Sequence, residues 1–100
     1  MLLTLGAVDG TPPSAPSNLN ATAASGSQVD LSWAAATDNL GVTGYDIYRG
    51  GTLLFSVSGA TLSYSDTTVS PTTQYSYTVQ ARDAAGNVSA DSNTATATTP

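Results

Sequence analysis

The fold is decided by the stretch Val69-Ser70-Pro71-Thr72-Thr73-Gln74-Tyr75-Ser76-Tyr77-Thr78-Val79-Gln80-Ala81-Arg82-Asp83. An apolar residue and a proline form a corner, and apolar side chains then recur at every second position from Tyr75 to Ala81. A period of two is typical of a β-strand with one buried face. The stretch therefore predicts a half-buried strand that the chain enters through a rigid turn.

Short alternating segments separated by turn residues fill the rest of the chain. The clearest runs from Val29 to Trp33, and Gly50-Gly51 predicts a tight hairpin. No window shows helical spacing of apolar residues over three turns. The spacing of turn signals, roughly every eight to twelve residues, predicts an all-β, seven-stranded antiparallel sandwich with three strands packed on four. A small closed barrel is the structural alternative.

The apolar members of these strands make up the predicted core. Alternation also directs Phe55 and Tyr64 inward, and Trp33 is interpreted as a core residue and not as a platform for a ligand. The predicted core consists of Leu19, Val29, Leu31, Trp33, Tyr45, Ile47, Leu62, Val69, Tyr75, Tyr77 and Val79.

The first fifteen residues differ in character from the remainder. Three prolines and a glycine between Asp9 and Pro16 indicate extended, semi-stiff backbone. We therefore predict an N-terminal arm and Pro-rich linker over residues 1–15 and a folded domain over residues 16–100. The apolar arm, with Leu2, Leu3 and Leu5, lacks the positive region of a signal peptide. Two alternatives stay open: a disordered terminus, or a strand that adds to a neighbour's sheet edge.

Composition excludes several classes of function. The net charge is −5, and only Arg49 and Arg82 are basic, which argues against binding to nucleic acid or to anionic lipid. No stretch is long and apolar enough to span a membrane. The chain has no His, Cys, Lys or Glu, so it cannot assemble a Ser-His-Asp triad, a thiolate nucleophile or a Schiff base. We expect no catalytic residues and no cofactor.

Four segments resemble a fibronectin type III domain over roughly residues 16–99. Pro16 with Leu19 resembles the opening of the family, and Val29-Asp30-Leu31-Ser32-Trp33 resembles its second strand. Val69, Pro71, Thr73 and Tyr75 match its corner, and Ser92-Asn93 up to Pro100 resembles its closing strand. The resemblance implies an immunoglobulin-like sandwich in which the Tyr75 hydroxyl reaches back to a backbone group near the corner.

Two segments resemble the form of this domain found in secreted bacterial enzymes that degrade polysaccharides, such as chitinases and cellulases. They are 37–49 and 81–89, and Arg49 stands where animal domains usually carry an aromatic residue. This resemblance implies a non-catalytic accessory or spacer module in an extracellular multidomain protein. Its partners would be covalently linked neighbouring domains, and an exposed face could bind polysaccharide or protein. The alternatives are an adhesive or self-assembling surface subunit and a weak carbohydrate-binding module.

Two candidate sites remain. Asp38, Asn39, Asp83 and Asn87 fall on two loops that share one pole of this fold, and converging oxygen ligands there could hold Ca²⁺. The favoured alternative is that these side chains bond their own turns, since no EF-hand spacing is present. For sugar binding, alternation leaves Tyr48 as the best exposed aromatic residue, and we expect it to pair with Arg82 as an ordinary cross-strand neighbour.

Overall fold

The computed structural model describes residues 10–100, which form seven β-strands and no helix. Within that range no helix is therefore available that could cross a membrane. The strands are β1 Ser17–Ser25, β2 Gln28–Ala34, β3 Val42–Arg49, β4 Thr52–Ser58, β5 Ser63–Asp66, β6 Gln74–Asp83 and β7 Ala95–Thr98.

The strands form two separate antiparallel sheets. One has three strands in the order β1-β2-β5, and the other has four in the order β4-β3-β6-β7. This arrangement confirms the predicted sandwich of three strands on four and excludes the closed barrel. Strands β1 and β5 are the outer strands of the first sheet, whereas β4 and β7 are those of the second.

The β3–β4 hairpin forms where the two consecutive glycines occur. Arg49 pairs with Thr52, so that Gly50 and Gly51 alone make the turn. Their φ angles are 59° and 84°. A two-residue turn with both φ values positive is the type I′ turn, which matches the twist of antiparallel strands and favours residues without a Cβ atom.

The core lies between the two sheets and consists of the side chains that point inward from the alternating strands. Trp33 packs edge-on against Tyr45, with ring centroids 5.6 Å apart. The Tyr45 hydroxyl accepts a hydrogen bond from the Ala36 amide at 3.0 Å. The structure buries Leu19, Val29, Leu31, Trp33, Tyr45, Ile47, Val69, Tyr77 and Val79, and it adds Ala36, Ala81, Ala95 and Ala97.

The corner before β6 is held by the tyrosine expected there. The Ser70 amide donates a hydrogen bond to the Tyr75 hydroxyl at 2.7 Å. The Tyr75 ring is only partly buried and packs against the edge of the core. The hydroxyl thus fixes the corner across five residues of chain, which is the role that the sequence assigned to it.

Two residues that were predicted to be buried are exposed. Leu62 is 39% exposed, and Phe55 is 50% exposed. Phe55 does face inward, since it pairs with the buried Ile47, and the half-buried Tyr64 pairs with the buried Leu31. They lie on β4 and β5, however, and as outer strands these have no neighbour beyond them to cover their side chains. Alternation therefore predicted the face correctly but the burial wrongly.

The described chain contacts the sandwich before the predicted start of the domain. Pro13 is buried, and the Ser14 amide donates to the Thr37 carbonyl at 2.8 Å. Pro16, the predicted first residue of the domain, is fully buried. The boundary at residue 16 stays a prediction, and the predicted apolar arm, residues 1–9, lies outside the described residues.

Candidate functional site

The two loops that carry the calcium candidates lie at the same end of the sandwich. Val42, the first residue of β3, pairs with Asp83, the last residue of β6. The loop with Asp38 and Asn39 therefore enters β3 beside the turn that leads from Asp83 to Asn87. The expected juxtaposition of the loops is present, and the chemistry depends on what each carboxylate binds.

Asp83 organises its own turn. Its Oδ1 accepts hydrogen bonds from the amides of Ala85 at 3.0 Å and Asn87 at 2.8 Å. Its Oδ2 accepts one from Asn87 Nδ2 at 3.0 Å, and the Asp83 amide donates to the Asn87 carbonyl at 3.1 Å. The carboxylate is buried and acts as the hub of a tight loop, as a short acidic side chain commonly does.

Asp38 bonds its own loop in the same way. Its Oδ2 accepts a hydrogen bond from the Leu40 amide at 3.1 Å, while Asn39 is exposed. Residues 10–100 contain no group of three or more His, Cys, Asp or Glu side chains that could hold a metal ion. The calcium site stays a prediction, and the hydrogen bonds of Asp38 and Asp83 favour the alternative of turn formation.

Tyr48 and Arg82 do not pair, contrary to the sequence prediction. Tyr48 lies opposite Thr78, whereas Arg82 lies opposite Gly44, at the other end of the same strand pair. Arg82 Nε instead donates to both carboxylate oxygens of Asp46, at 3.0 Å each. The cross-strand ion pair on this outer face is therefore diagonal, from Arg82 to Asp46.

A buried carboxylate that the sequence did not single out lies at the end of β5. Asp66 is 0% exposed, and its Oδ2 accepts hydrogen bonds from Arg49 Nη1 at 2.8 Å and the Tyr77 hydroxyl at 2.7 Å. Its Oδ1 accepts from the Thr68 amide at 3.0 Å and the Thr68 hydroxyl at 2.6 Å. We call Asp66, Arg49, Tyr77 and Thr68 the Asp66 cluster.

Burial and hydrogen bonding act in opposite directions on this cluster. Burial would raise the pKa of Asp66, but the hydrogen bonds from Thr68, Tyr77 and Arg49 outweigh it and hold that pKa below its ordinary value. Burial, followed by the hydrogen bond to Asp66 and then by the Asp66 charge, raises the pKa of Tyr77 well above its ordinary range. Both groups are therefore fixed in one protonation state near neutral pH, which suits a structural network and not proton transfer.

The sequence did contain a signal for this cluster. Arg49 continues the inward alternation of Tyr45 and Ile47, and an inward cation requires a buried anion. The Arg49 guanidinium also lies 5.2 Å from the centroid of the Tyr75 ring. The partner, Asp66, is seventeen residues away along the chain and could be identified only from the fold.

The open side of the sandwich carries an aromatic pair that sequence reasoning missed. The rings of Phe55 and Tyr64 stack with centroids 5.0 Å apart and planes 16° from parallel. Phe55 belongs to β4 and Tyr64 to β5, so the pair bridges the two sheets at their margins. We call Phe55, Tyr64 and the adjacent exposed Leu62 the open margin.

A cleft of about 220 Å³ lies beside the β3–β4 turn and is lined by Gly50, Gly51, Ser76, Tyr77, Thr78, Asp91 and Thr94. Its one carboxylate, Asp91, accepts a hydrogen bond from Gln80 Nε2 at 2.7 Å. A hydrolytic site needs a paired acid and base or an activated nucleophile. This cleft supplies neither.

This chain is similar to segments of larger curated proteins. Chitinase A1 of Niallia circulans is 48% identical over 92 residues, which are 92% of this chain and 13% of that protein. Exoglucanase B of Cellulomonas fimi is 46% identical over 91 residues, or 91% of this chain and 8% of that protein. This chain thus spans a small part of the curated relatives it matches.

A solved structure and a family model also match this chain. The structure of chitinase ChiA74 from Bacillus thuringiensis superposes with a TM-score of 0.81 at 36% identity, covering 92% of this chain and 14% of that one. The model of the fibronectin type III domain matches residues 14–98. With the two-sheet topology and the corner at Tyr75, these matches show that the chain belongs to the fibronectin type III family.

Proposed function

We propose that this domain is an accessory spacer of an extracellular multidomain enzyme that degrades polysaccharides. The fibronectin type III domain is non-catalytic, and the chain matches segments of much longer chitinases and exoglucanases. Its role is then to hold linked domains at a defined separation. The extracellular location is part of the same proposal. It is supported by the similarity to chitinases and exoglucanases, whose polymeric substrates lie outside the cell.

The observation that carries the proposal is where the described chain enters and leaves the sandwich. Ser14 is hydrogen-bonded to Thr37, at the end where β2 finishes and β3 starts. The Pro100 carbonyl accepts from the Thr72 amide, just before the start of β6 and thus at the opposite end. Flanking domains would therefore lie on opposite ends of a rigid body about 30 Å long, the length of the ten-residue strand β6.

The test is to replace residues 14–98 in the parent protein by a Gly/Ser linker with the same number of residues. A flexible linker allows a broad range of separations, whereas the sandwich allows a narrow one. We expect slower hydrolysis of insoluble polysaccharide and an unchanged rate on a soluble oligosaccharide. Equal rates on the insoluble substrate, with both proteins folded, would refute the spacer role.

The adhesive or self-assembling subunit stays as a second candidate because β4 is an outer strand without a charged residue or proline, and its edge is interrupted only at the extra residue Leu54. Light scattering of the chain at several concentrations tests it. A monomeric mass that does not change on deletion of residues 1–9 would remove this candidate, while a concentration-dependent rise in mass would support it.

A further inference from the structure

We propose that the open margin binds a neutral polysaccharide chain, with Phe55 as the ring on which a sugar stacks. This inference deepens the accessory function proposed above, because it rests on the same kind of enzyme and assigns a ligand to one surface. It reverses the expectation that Tyr48 is the best aromatic candidate.

The geometry of the aromatic pair carries the first step. The two rings are nearly parallel, at 16° and 5.0 Å, so that one face of Phe55 covers Tyr64. Phe55 nevertheless remains 50% exposed, so the stacking on Tyr64 leaves about half of the residue open to solvent. Pyranose rings present C–H groups on their faces, and the electron-rich face of an aromatic ring attracts such groups.

The position of the pair makes this surface rigid. Tyr64 is half buried and packs against the core, and it is the support beneath Phe55. Each ring is anchored on a strand that pairs with a central strand of its sheet, β3 for Phe55 and β2 for Tyr64. A preformed ring loses little conformational freedom on binding, which favours recognition of a single sugar face.

The charges beside the open margin favour a neutral ligand. Arg49 lies two residues after Ile47, the cross-strand partner of Phe55, and Asp66 lies two residues after Tyr64. Both side chains are therefore the next ones along the inner faces of their strands. Their side chains form an ion pair at 2.8 Å and so cancel each other. The Arg49 side chain is still 29% exposed, so part of its guanidinium is accessible from solvent. The net charge of −5 disfavours an acidic polysaccharide.

A second copy of this chain is the competing occupant, and two observations disfavour it. The β3–β4 register shifts between Ile47 and Tyr48 so that Leu54 is an extra residue in the outer strand. Such a bulge twists an edge strand and interrupts the row of groups that another strand would need. Two copies of the same anionic domain also repel each other.

The experiment measures depletion of the 100-residue chain from solution by insoluble cellulose and chitin. The variants are Phe55→Leu, which keeps an apolar side chain but removes the ring, and Leu53→Ala as the matched control. Leu53 lies on the same strand, is 53% exposed and pairs with Tyr48, on the outer face of the sheet. Thermal unfolding establishes that all variants are folded.

We expect retention of wild type on at least one of the two polysaccharides. Phe55→Leu should weaken it by about fivefold or more, which corresponds to the loss of one aromatic stacking contact, and Leu53→Ala should leave it unchanged. In NMR titration with a soluble hexasaccharide of the retained polysaccharide, shifts should centre on the Phe55 and Tyr64 amides.

Three results would overturn the inference. They are no retention of wild type on either polysaccharide, equal retention of wild type and Phe55→Leu, and a dimeric mass in light scattering that Phe55→Leu abolishes. Any of these would leave the spacer role intact, because that role is tested by linker replacement in the parent protein and needs no ligand at the margin.

Discussion

Asp66 shows how much of this small domain depends on one polar side chain. It is fully buried and accepts hydrogen bonds from Arg49, Tyr77 and Thr68. A buried carboxylate is tolerated only when hydrogen bonds and an opposite charge compensate for the loss of water. In a chain without disulfides, this network ties the end of β5 to β3 and β6.

The hydrogen bond from Tyr77 to Asp66 gives the first prediction. Tyr77→Phe removes a buried donor to a charged acceptor and leaves the ring in place, so it should lower the free energy of unfolding by about 1.5–3 kcal/mol. Urea denaturation followed by fluorescence of Trp33 measures this. Tyr48→Phe, on the outer face, is the control and should change stability little, whereas equal effects of the two variants would contradict the prediction.

The corner hydroxyl gives the second prediction. Tyr75→Phe removes the acceptor of the Ser70 amide, which is held at 2.7 Å. The denaturation midpoint should fall while the slope with denaturant stays constant, because the surface exposed on unfolding is the same. If the midpoint does not move, the hydroxyl does not hold the corner.

At the scale of elements, alternation identifies the face of a strand but not whether that face is covered. Phe55 and Leu62 carry the hydrophobic signal of core residues, yet both are exposed because β4, which carries Phe55, and β5, which Leu62 immediately precedes, are outer strands. The extra residue Leu54 in β4 has no sequence signature, since it depends on the register with β3. The strands could be predicted from the sequence, but the open margin required their order in the two sheets.

The connection between β4 and β5 depends on a close backbone approach and gives the third prediction. Gly59 donates its amide to the Thr43 carbonyl at 3.0 Å, and a Cβ atom at this position would overlap the carbonyl of Val42. Backbone cannot move aside as a side chain can, so Gly59→Ala should cost about 1–3 kcal/mol of stability.

Chemical denaturation of Gly59→Ala against Gly10→Ala is the measurement. A Cβ atom at Gly10 meets nothing within 4 Å, so that variant controls for the change from glycine to alanine. If Gly59→Ala is as stable as wild type, the backbone around Val42 can make room for the Cβ atom at no cost, and the prediction is wrong.

At the scale of the whole molecule, the lowered pKa of Asp66 makes stability depend on pH. A folded-state pKa below the ordinary value of 3.8 means that the unfolded chain binds more protons in the window between the two values. This contribution is complete above 3.8 and is lost as the pH falls through the folded-state value. The hydrogen bonds from Gln28 and Ser65 lower the pKa of Asp30 and act in the same direction.

The fourth prediction concerns the dependence of stability on pH in the acidic range. Wild type should lose stability as the pH falls from about 4 to 2, and Asp66→Asn should flatten this dependence because it has no proton to gain. Tyr77→Phe removes one of the bonds that lower the pKa and should give an intermediate slope. Melting temperatures across this range measure it, and identical slopes for all three proteins would contradict it.

The sequence by itself determined the strands, the corner at Tyr75, the two-glycine hairpin and most of the core. These features depend on local physics: the period of two along a strand, the fixed φ of proline and the positive φ available to glycine. The absence of His, Cys and Lys likewise excluded a Ser-His-Asp triad, a thiolate nucleophile and a Schiff base from the sequence alone.

Only the tertiary structure decided which side chains meet. Asp66 lies with Arg49, Arg82 with Asp46, and Phe55 on Tyr64, each pair joining residues that are distant along the chain. Which residues pair depends on strand order and register, and burial at a margin depends on whether another strand lies beyond it. Local sequence patterns predict neither the pairing of residues nor their burial at a margin, because both depend on how the two sheets are assembled.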